Sequence, residues 1–205
     1  MKKQTLKKSG LSVALLLASV AIGHAASVTV ANSSFENPGG GAFSYASPND
    51  WVSTGATFTE LSSETGLTNG TDLRSGGLEN GASFTQDLGF AYQPLTIYTL
   101  TVAVGNRQTG NPSSSSGDSI FGLTDANGLL GSTQQSGVIG TFTDYTFSFT
   151  TGASAPTGNV AISLSNTGGR GLFDNVRLDA TAVPEPSAAL LGGLGLLGLL
   201  VRRRR

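Results

Sequence analysis

Between residues 27 and 180 the apolar positions recur every second residue. Tyr98, Leu100, Val102 and Val104 share one side of a run whose other side holds Thr99, Thr101 and Ala103. Tyr145, Phe147 and Phe149 alternate in the same way, as do Val160, Ile162 and Leu164, and Val176 and Leu178. A period of two marks strands with one buried face. The pattern predicts strands over 27–31, 51–60, 82–88, 96–106, 119–123, 141–151, 159–165 and 172–180, and no helix among them. Within 141–151 the spacing slips between Phe142 and Tyr145, which predicts a bulge or the start of the strand. Gly39-Gly40-Gly41, Asn69-Gly70, Asn127-Gly128 and Gly168-Gly169 punctuate the runs, and 111–117 reads as an exposed loop. Strands at this spacing predict an all-β fold, an antiparallel β-sandwich of jelly-roll type. Roughly 155 residues are enough for one core.

Two apolar runs at the ends break the period. Lys2, Lys3, Lys7 and Lys8 precede the run from Leu11 to Ile22, and Gly23-His24-Ala25 follows it. That order predicts an N-terminal signal helix, residues 1–25, removed after Ala25 by signal peptidase. At the other end, residues 188–201 carry no charge. As a helix this run is roughly 21 Å long, short of a hydrocarbon core of about 30 Å. It has no polar face, lies at the chain terminus and ends in Arg202, Arg203, Arg204 and Arg205. These features favour a membrane helix over 186–201 with a cytoplasmic arginine stop signal, rather than a core helix. The sandwich domain is then 26–182 and the tail 183–205.

Charge sharpens the division. From 26 to 182 there are 12 acidic residues against 4 arginines and no lysine, a net charge of about −8. Such a body is no nucleic-acid binder. There is no cysteine, and the single histidine, His24, sits in the leader. Disulfides, thiolate chemistry, His-based triads, His/Cys zinc sites and Schiff-base lysines are excluded from the body.

Val183-Pro184-Glu185-Pro186, then a Gly/Leu run, then the arginine cluster resembles the tripartite sorting signal of PEP-CTERM proteins. The resemblance implies export in a Gram-negative bacterium, recognition and processing by exosortase, a membrane-embedded enzyme, and a transient stay at the inner membrane. The destination is then the cell surface or an extracellular polysaccharide matrix. The prolines hold the motif extended. A second resemblance rests on Asn32-Ser33-Ser34-Phe35-Glu36, on Trp51 and on Leu172-Phe173-Asp174-Asn175-Val176-Arg177-Leu178. These stretches resemble carbohydrate-binding jelly-roll modules of the galactose-binding-like superfamily. The resemblance implies that Glu36 and Asp174 help hold a structural Ca²⁺ joining the first strand region to the last.

The residues themselves supply candidates and alternatives. Trp51, Tyr45, Tyr92 and Tyr98 are aromatic candidates for stacking on a sugar, with Trp51 equally suited to the core. Arg107, with Arg74 and Arg170, could form a fork for an acidic polysaccharide. Asp72, Glu79 and Asp87 are the carboxylates a glycosidase would use, but no motif joins them. The reading is a non-enzymatic structural or glycan-binding component of an exopolysaccharide matrix. The alternatives are a secreted carbohydrate-active enzyme using carboxylates and a protein-binding adhesin.

Overall fold

The computed structural model describes residues 24–37, 40–107, 117–184 and, in the tail, 193–195, 198–200 and 202–203. Residues 23–183 form one compact unit, separate from the two chain ends. Thirteen strands build it: β1 (Ala25–Val28), β2 (Phe43–Ser44), β3 (Val52–Thr54), β4 (Thr57–Leu61), β5 (Arg74–Leu78), β6 (Ser83–Ala91), β7 (Thr96–Asn106), β8 (Ser119–Asp125), β9 (Gly128–Gln135), β10 (Val138–Ile139), β11 (Phe142–Thr150), β12 (Asn159–Asn166) and β13 (Gly171–Ala182). One turn of helix, α1 (Ser62–Thr65), follows β4 and ends on Gly66 in the left-handed region.

The strands form two sheets. The larger has the order β10-β7-β13-β5-β4-β2, with β1 added on β13 and β11 on β7. The smaller has the order β3-β6-β12-β8-β9. Among the described strand pairs only β10 with β7 is parallel. The alternating positions meet between the sheets: Tyr98, Leu100, Val102 and Val104 face Phe84, Phe121, Ile162 and Leu164, all fully buried.

Sequence and structure differ in several elements. The predicted strand 51–60 is two strands in different sheets, because Gly55 (φ 77°) turns the chain between β3 and β4. The two-residue strands β2 and β10 were not expected, nor were the longer β5 and β9. Their sequences, Arg-Ser-Gly-Gly-Leu and Gly-Leu-Leu-Gly-Ser-Thr-Gln-Gln, carry little β-propensity. The helix turn α1 is new as well. The slip at Phe142 is the strand's start: β11 pairs with β7 without a register shift from Phe142 to Thr150. Phe142 itself packs in a cluster apart from the main core.

Residues 1–23 of the expected signal segment, the 111–116 part of the loop and most of the tail, including Glu185, Pro186, Arg204 and Arg205, lie outside the described residues, while Ala25, the last residue of that segment, already stands in β1 opposite Thr181. Within the tail, 193–195, 198–200 and 202–203 are helical. Among the described residues no helix is long and apolar enough to cross a membrane.

Candidate active site

The larger sheet carries a second apolar cluster on the face turned away from the main core. Phe58, Ala103, Phe142 and Leu172 form it, with Leu67 over them and Phe43 at its side. Two bare positions make room for the rings. A side chain at Gly77 would meet the Phe58 ring, and one at Gly105 would meet Leu67 and Phe142.

The connection 62–73 between β4 and β5 is laid over this face and tied down at several points. The Thr68 N–H donates to the Gly140 carbonyl, and Phe142 N–H donates to the Thr68 carbonyl. Thr71 N–H donates to Asp174 Oδ2 (2.5 Å). Leu73 and Arg74 N–H both donate to Glu36 Oε1 (2.9 and 2.5 Å). Glu36 and Asp174, far apart in sequence, therefore end on one short segment, and Asp72 lies between their anchor points. The chain is bent hard there: Asn32, Phe35, Asn69, Asp72 and Asn175 all have positive φ. Burial pushes the Asp174 carboxyl up to about 7; the Thr71 and Asn175 N–H groups oppose that, while the charges of Glu36 and Asp72 add to it. Among the described residues no three His, Cys, Asp or Glu side chains gather closely enough to form a metal centre.

Beside this apolar cover lies a polar cluster without partners. Glu60 on β4 is 0% exposed, and neither carboxyl oxygen has a hydrogen bond. Its cross-strand neighbours are Phe43 on β2 and Ser75 on β5. Cross-strand neighbours share a face about 5 Å apart. The Ser75 hydroxyl is also buried and unpartnered, and so is Arg107 Nε. Arg107 Nη2 lies 3.6 Å from Glu60 Oε2, while its hydrogen bond goes to the Glu64 carbonyl of α1 (2.8 Å). Burial raises the Glu60 carboxyl above its ordinary value against the pull of Arg107 and Arg170.

An aromatic row leads from this cluster to the surface. The Phe58 and Phe43 rings stack at 4.9 Å, and Phe43 meets the edge of Tyr45 at 4.8 Å. Tyr45 is 67% exposed. The Arg170 guanidinium sits 4.9 Å from the Phe58 ring centre and is held by Glu79 at 2.8 Å.

The HpiC1 cyclase model (HpiC1-like) matches residues 26–179. The chain belongs to the HpiC1-like cyclase family. The expectation of a non-enzymatic body is overturned by that membership. A second model, the PEP-CTERM protein-sorting motif, matches residues 182–205, which implies export and processing by exosortase, a membrane enzyme. No curated protein matches the chain.

Solved structures agree on the fold of this cyclase-family domain. A Stig cyclase, Fisc from Fischerella sp. TAU, in complex with (3Z)-3-(1-methyl-2-pyrrolidinylidene)-3H-indole, superposes with a TM-score of 0.67 at 21% identity, covering 78% of this chain and 100% of that one. A cyclase from the same organism in complex with 4-(1H-indol-3-yl)butan-2-one gives 0.65 at 20% identity, covering 78% and 100%. The CBM22-1–CBM22-2 tandem domain of Paenibacillus barcinonensis Xyn10C gives 0.53 at 13% identity, covering 82% of this chain and 49% of that one. The likeness to carbohydrate-binding jelly rolls holds at the level of the fold.

Of the residues singled out from sequence, Tyr45 and Arg107 lie at the row and the polar cluster. Trp51 does not. It is 4% exposed, stacks on Phe35 at 5.2 Å and donates Nε1–H to the Asn32 carbonyl, so neither ring face is open to a sugar. Tyr92 and Tyr98 are core residues too. Arg74 is buried and bonds the Gly40 and Gly41 carbonyls. Asp72, Glu79 and Asp87 take separate partners: Ser34, Arg170 and Asn159. Glu60 gave no sequence signal, since one acidic residue in a strand of mixed polarity reads as solvated.

Proposed function

We propose that the sandwich is the catalytic body of an exported cyclase-family enzyme, delivered by its tail to exosortase and acting on a small, mainly apolar compound. Its reaction basin is the outer face of the larger sheet, beneath the connection 62–73. The observation that carries this reading is the unpartnered cluster of Glu60, Ser75 and Arg107 beside an apolar wall. Burying a polar group without a hydrogen bond costs about 1–3 kcal/mol on mutational evidence. A fold that leaves several together has recovered nothing for them on its own, and a ligand's polar group would supply what they lack.

The indole compounds bound by the two Fischerella cyclases are flat and largely apolar, and 4-(1H-indol-3-yl)butan-2-one is the probe of choice. It is expected to raise the melting temperature of the wild-type domain in proportion to log concentration. Phe43→Ala and Phe58→Ala should each reduce that shift. Circular dichroism of both variants separates lost binding from lost folding. No shift with the wild type would sink the assignment of the basin.

Glycan binding is the second reading. It is favoured by the exposed Tyr45 ring with Arg107 close to the same row. Xylohexaose in place of the ketone, producing a shift that Tyr45→Ala removes, would support it. We place the protein's action at the cell surface or in a polysaccharide matrix.

Glu36 and Asp174 are further proposed as ligands of a structural Ca²⁺. Their anchor points on residues 71–74 and the mutual repulsion of Glu36, Asp72 and Asp174 support it, since a divalent cation would relieve that repulsion. Ca²⁺ takes six to eight oxygens, so backbone carbonyls would have to complete the set.

A further inference from the structure

We infer that the end of the sandwich where β13 runs out is a docking surface for the membrane-embedded processing enzyme, and that the loop 93–95 clamps the base of the sorting motif there. This rests on delivery of the tail to exosortase, as proposed above, and adds that the enzyme meets the folded body as well as the tail. β13 is held on both sides close to its end, by β1 from Leu178 to Thr181 and by β7 as far as Ala182, opposite Thr96. The next residue, Val183, donates its N–H to the Leu95 carbonyl (2.7 Å), and Pro184 after it is exposed. The fold thus grips the chain up to the residue at which the Val-Pro-Glu-Pro motif begins. Leu95 is strained to do so: its φ is 47°. Of the described non-glycine residues with positive φ, only Phe35 and Leu95 are not Asn or Asp, which tolerate that region. Phe35 is explained by the core it fills, whereas Leu95 is only half-buried. Its conformation is imposed by bonds around the loop: Leu95 N–H to the Gly152 carbonyl, Gln93 N–H to Tyr98 Oη, and Thr151 Oγ1–H to the Gln93 carbonyl.

Reach makes the contact unavoidable. From Val183 to Pro186 the chain spans at most about 10 Å, so an enzyme holding the motif stands against this end of the body. The surface there suits a protein partner. Segments 25–27, 91–96, 151–156 and 180–184 carry no charged residue, in a body with 12 acids. Acids stand at the border: Asp179 opposite Ser27, and Asp125 on the hairpin whose Ala126 N–H is bonded to the Thr157 carbonyl. A charge-free centre with a polar rim is the anatomy of an interface. Among the described residues of these segments no large apolar side chain is exposed, so the end has no wedge for insertion into lipid. The basin residues Ala103, Phe142 and Leu172 lie at the other ends of β7, β11 and β13, and docking here leaves them uncovered.

The rate of tail removal tests this, read by intact mass on pulse-labelled full-length protein in a cell that possesses exosortase. A Gly-Ser-Gly-Ser spacer between Val183 and Pro184 keeps the fold and the motif but parts them, so the clamp no longer positions what the enzyme reads. Ala153→Glu with Ser154→Glu puts two carboxylates on the surface at exposed positions. Each change should slow tail removal about tenfold or more, the first by diluting the contact and the second by the cost of desolvating charge. The urea midpoint of each should stay at the wild-type value, which separates lost docking from lost folding. Thr54→Glu with Ser132→Glu, exposed on the smaller sheet, should be processed as wild type. A wild-type rate in either the spacer or the Ala153/Ser154 variant overturns the inference, and the enzyme then reads the tail alone. Binding of the exported, tail-free protein to phosphatidylglycerol vesicles, abolished by the glutamates at 153 and 154, overturns it in favour of a lipid-facing end. A wild-type tail that stays attached equally with and without exosortase overturns the delivery itself.

Discussion

At the scale of single residues, Asp174 shows what burial does to a carboxyl. It gains two backbone N–H donors, yet desolvation and the charges of Glu36 and Asp72 outweigh them and hold it at about 7. An unfolded aspartate titrates near about 3.9. Between those values the folded protein binds the extra proton, so stability should rise as pH falls from about 7 toward about 4. The slope is at most about 1.4 kcal/mol per pH unit, and the gain is lost as pH rises through about 7. Urea unfolding across that window, in the absence of divalent ions, should show the slope in wild type and a flatter line in Asp174→Asn. Saturating Ca²⁺ gives the calcium proposal its test. It should raise the melting temperature and abolish the slope in wild type, with neither effect in Glu36→Ala or Asp174→Ala. A wild-type slope indifferent to Ca²⁺ would remove Asp174 from the ligand set.

At the scale of elements, β5 explains both what could be read from sequence and what could not. The long alternating strands announced themselves: β7, β11, β12 and β13 fall where the period of two places them, because their alternation reports burial directly. Arg-Ser-Gly-Gly-Leu has no alternation, since the side chains that fill its space belong to other strands. The Phe35 ring occupies the place of a side chain at Gly76 on the core face, and Phe58 that of one at Gly77 on the outer face. Such borrowed packing is a tertiary property with no local trace. The polar cluster was legible only at Arg107 for the same reason: Glu60 and Ser75 meet it only through strand pairing and a turn of α1, whereas Glu36 and Asp174 stood out through motifs. The prediction at this scale concerns β5. A Cβ at residue 77 would lie 2.0 Å from the Phe58 ring, while one at residue 41 would meet nothing within 4 Å. Gly77→Ala should therefore lower the urea midpoint by an amount worth about 1–3 kcal/mol or more, with Gly41→Ala near neutral. Loss of the ligand-induced shift in Gly77→Ala would follow from a displaced Phe58.

At the scale of the molecule, the chain keeps its chemistry and its address apart. The body between 26 and 182 is acidic and lysine-free, and the remaining basic residues stand at the two ends. The compact unit closes at Val183, whose N–H still donates to the Leu95 carbonyl, and the sorting motif begins at that boundary. A protease needs an extended, accessible segment, and a sequence with two prolines separated by one residue favours extended backbone. Replacing Pro184 and Pro186 together by alanine should therefore leave the fold and the probe binding of the body intact while blocking release. In a cell that possesses exosortase, intact mass of the exported wild-type protein should show the arginine cluster removed, and the double variant should retain it in the membrane fraction. Wild-type protein recovered at its destination with Arg205 still attached would show that the tail acts as an anchor, and the sandwich would then work tethered to the membrane.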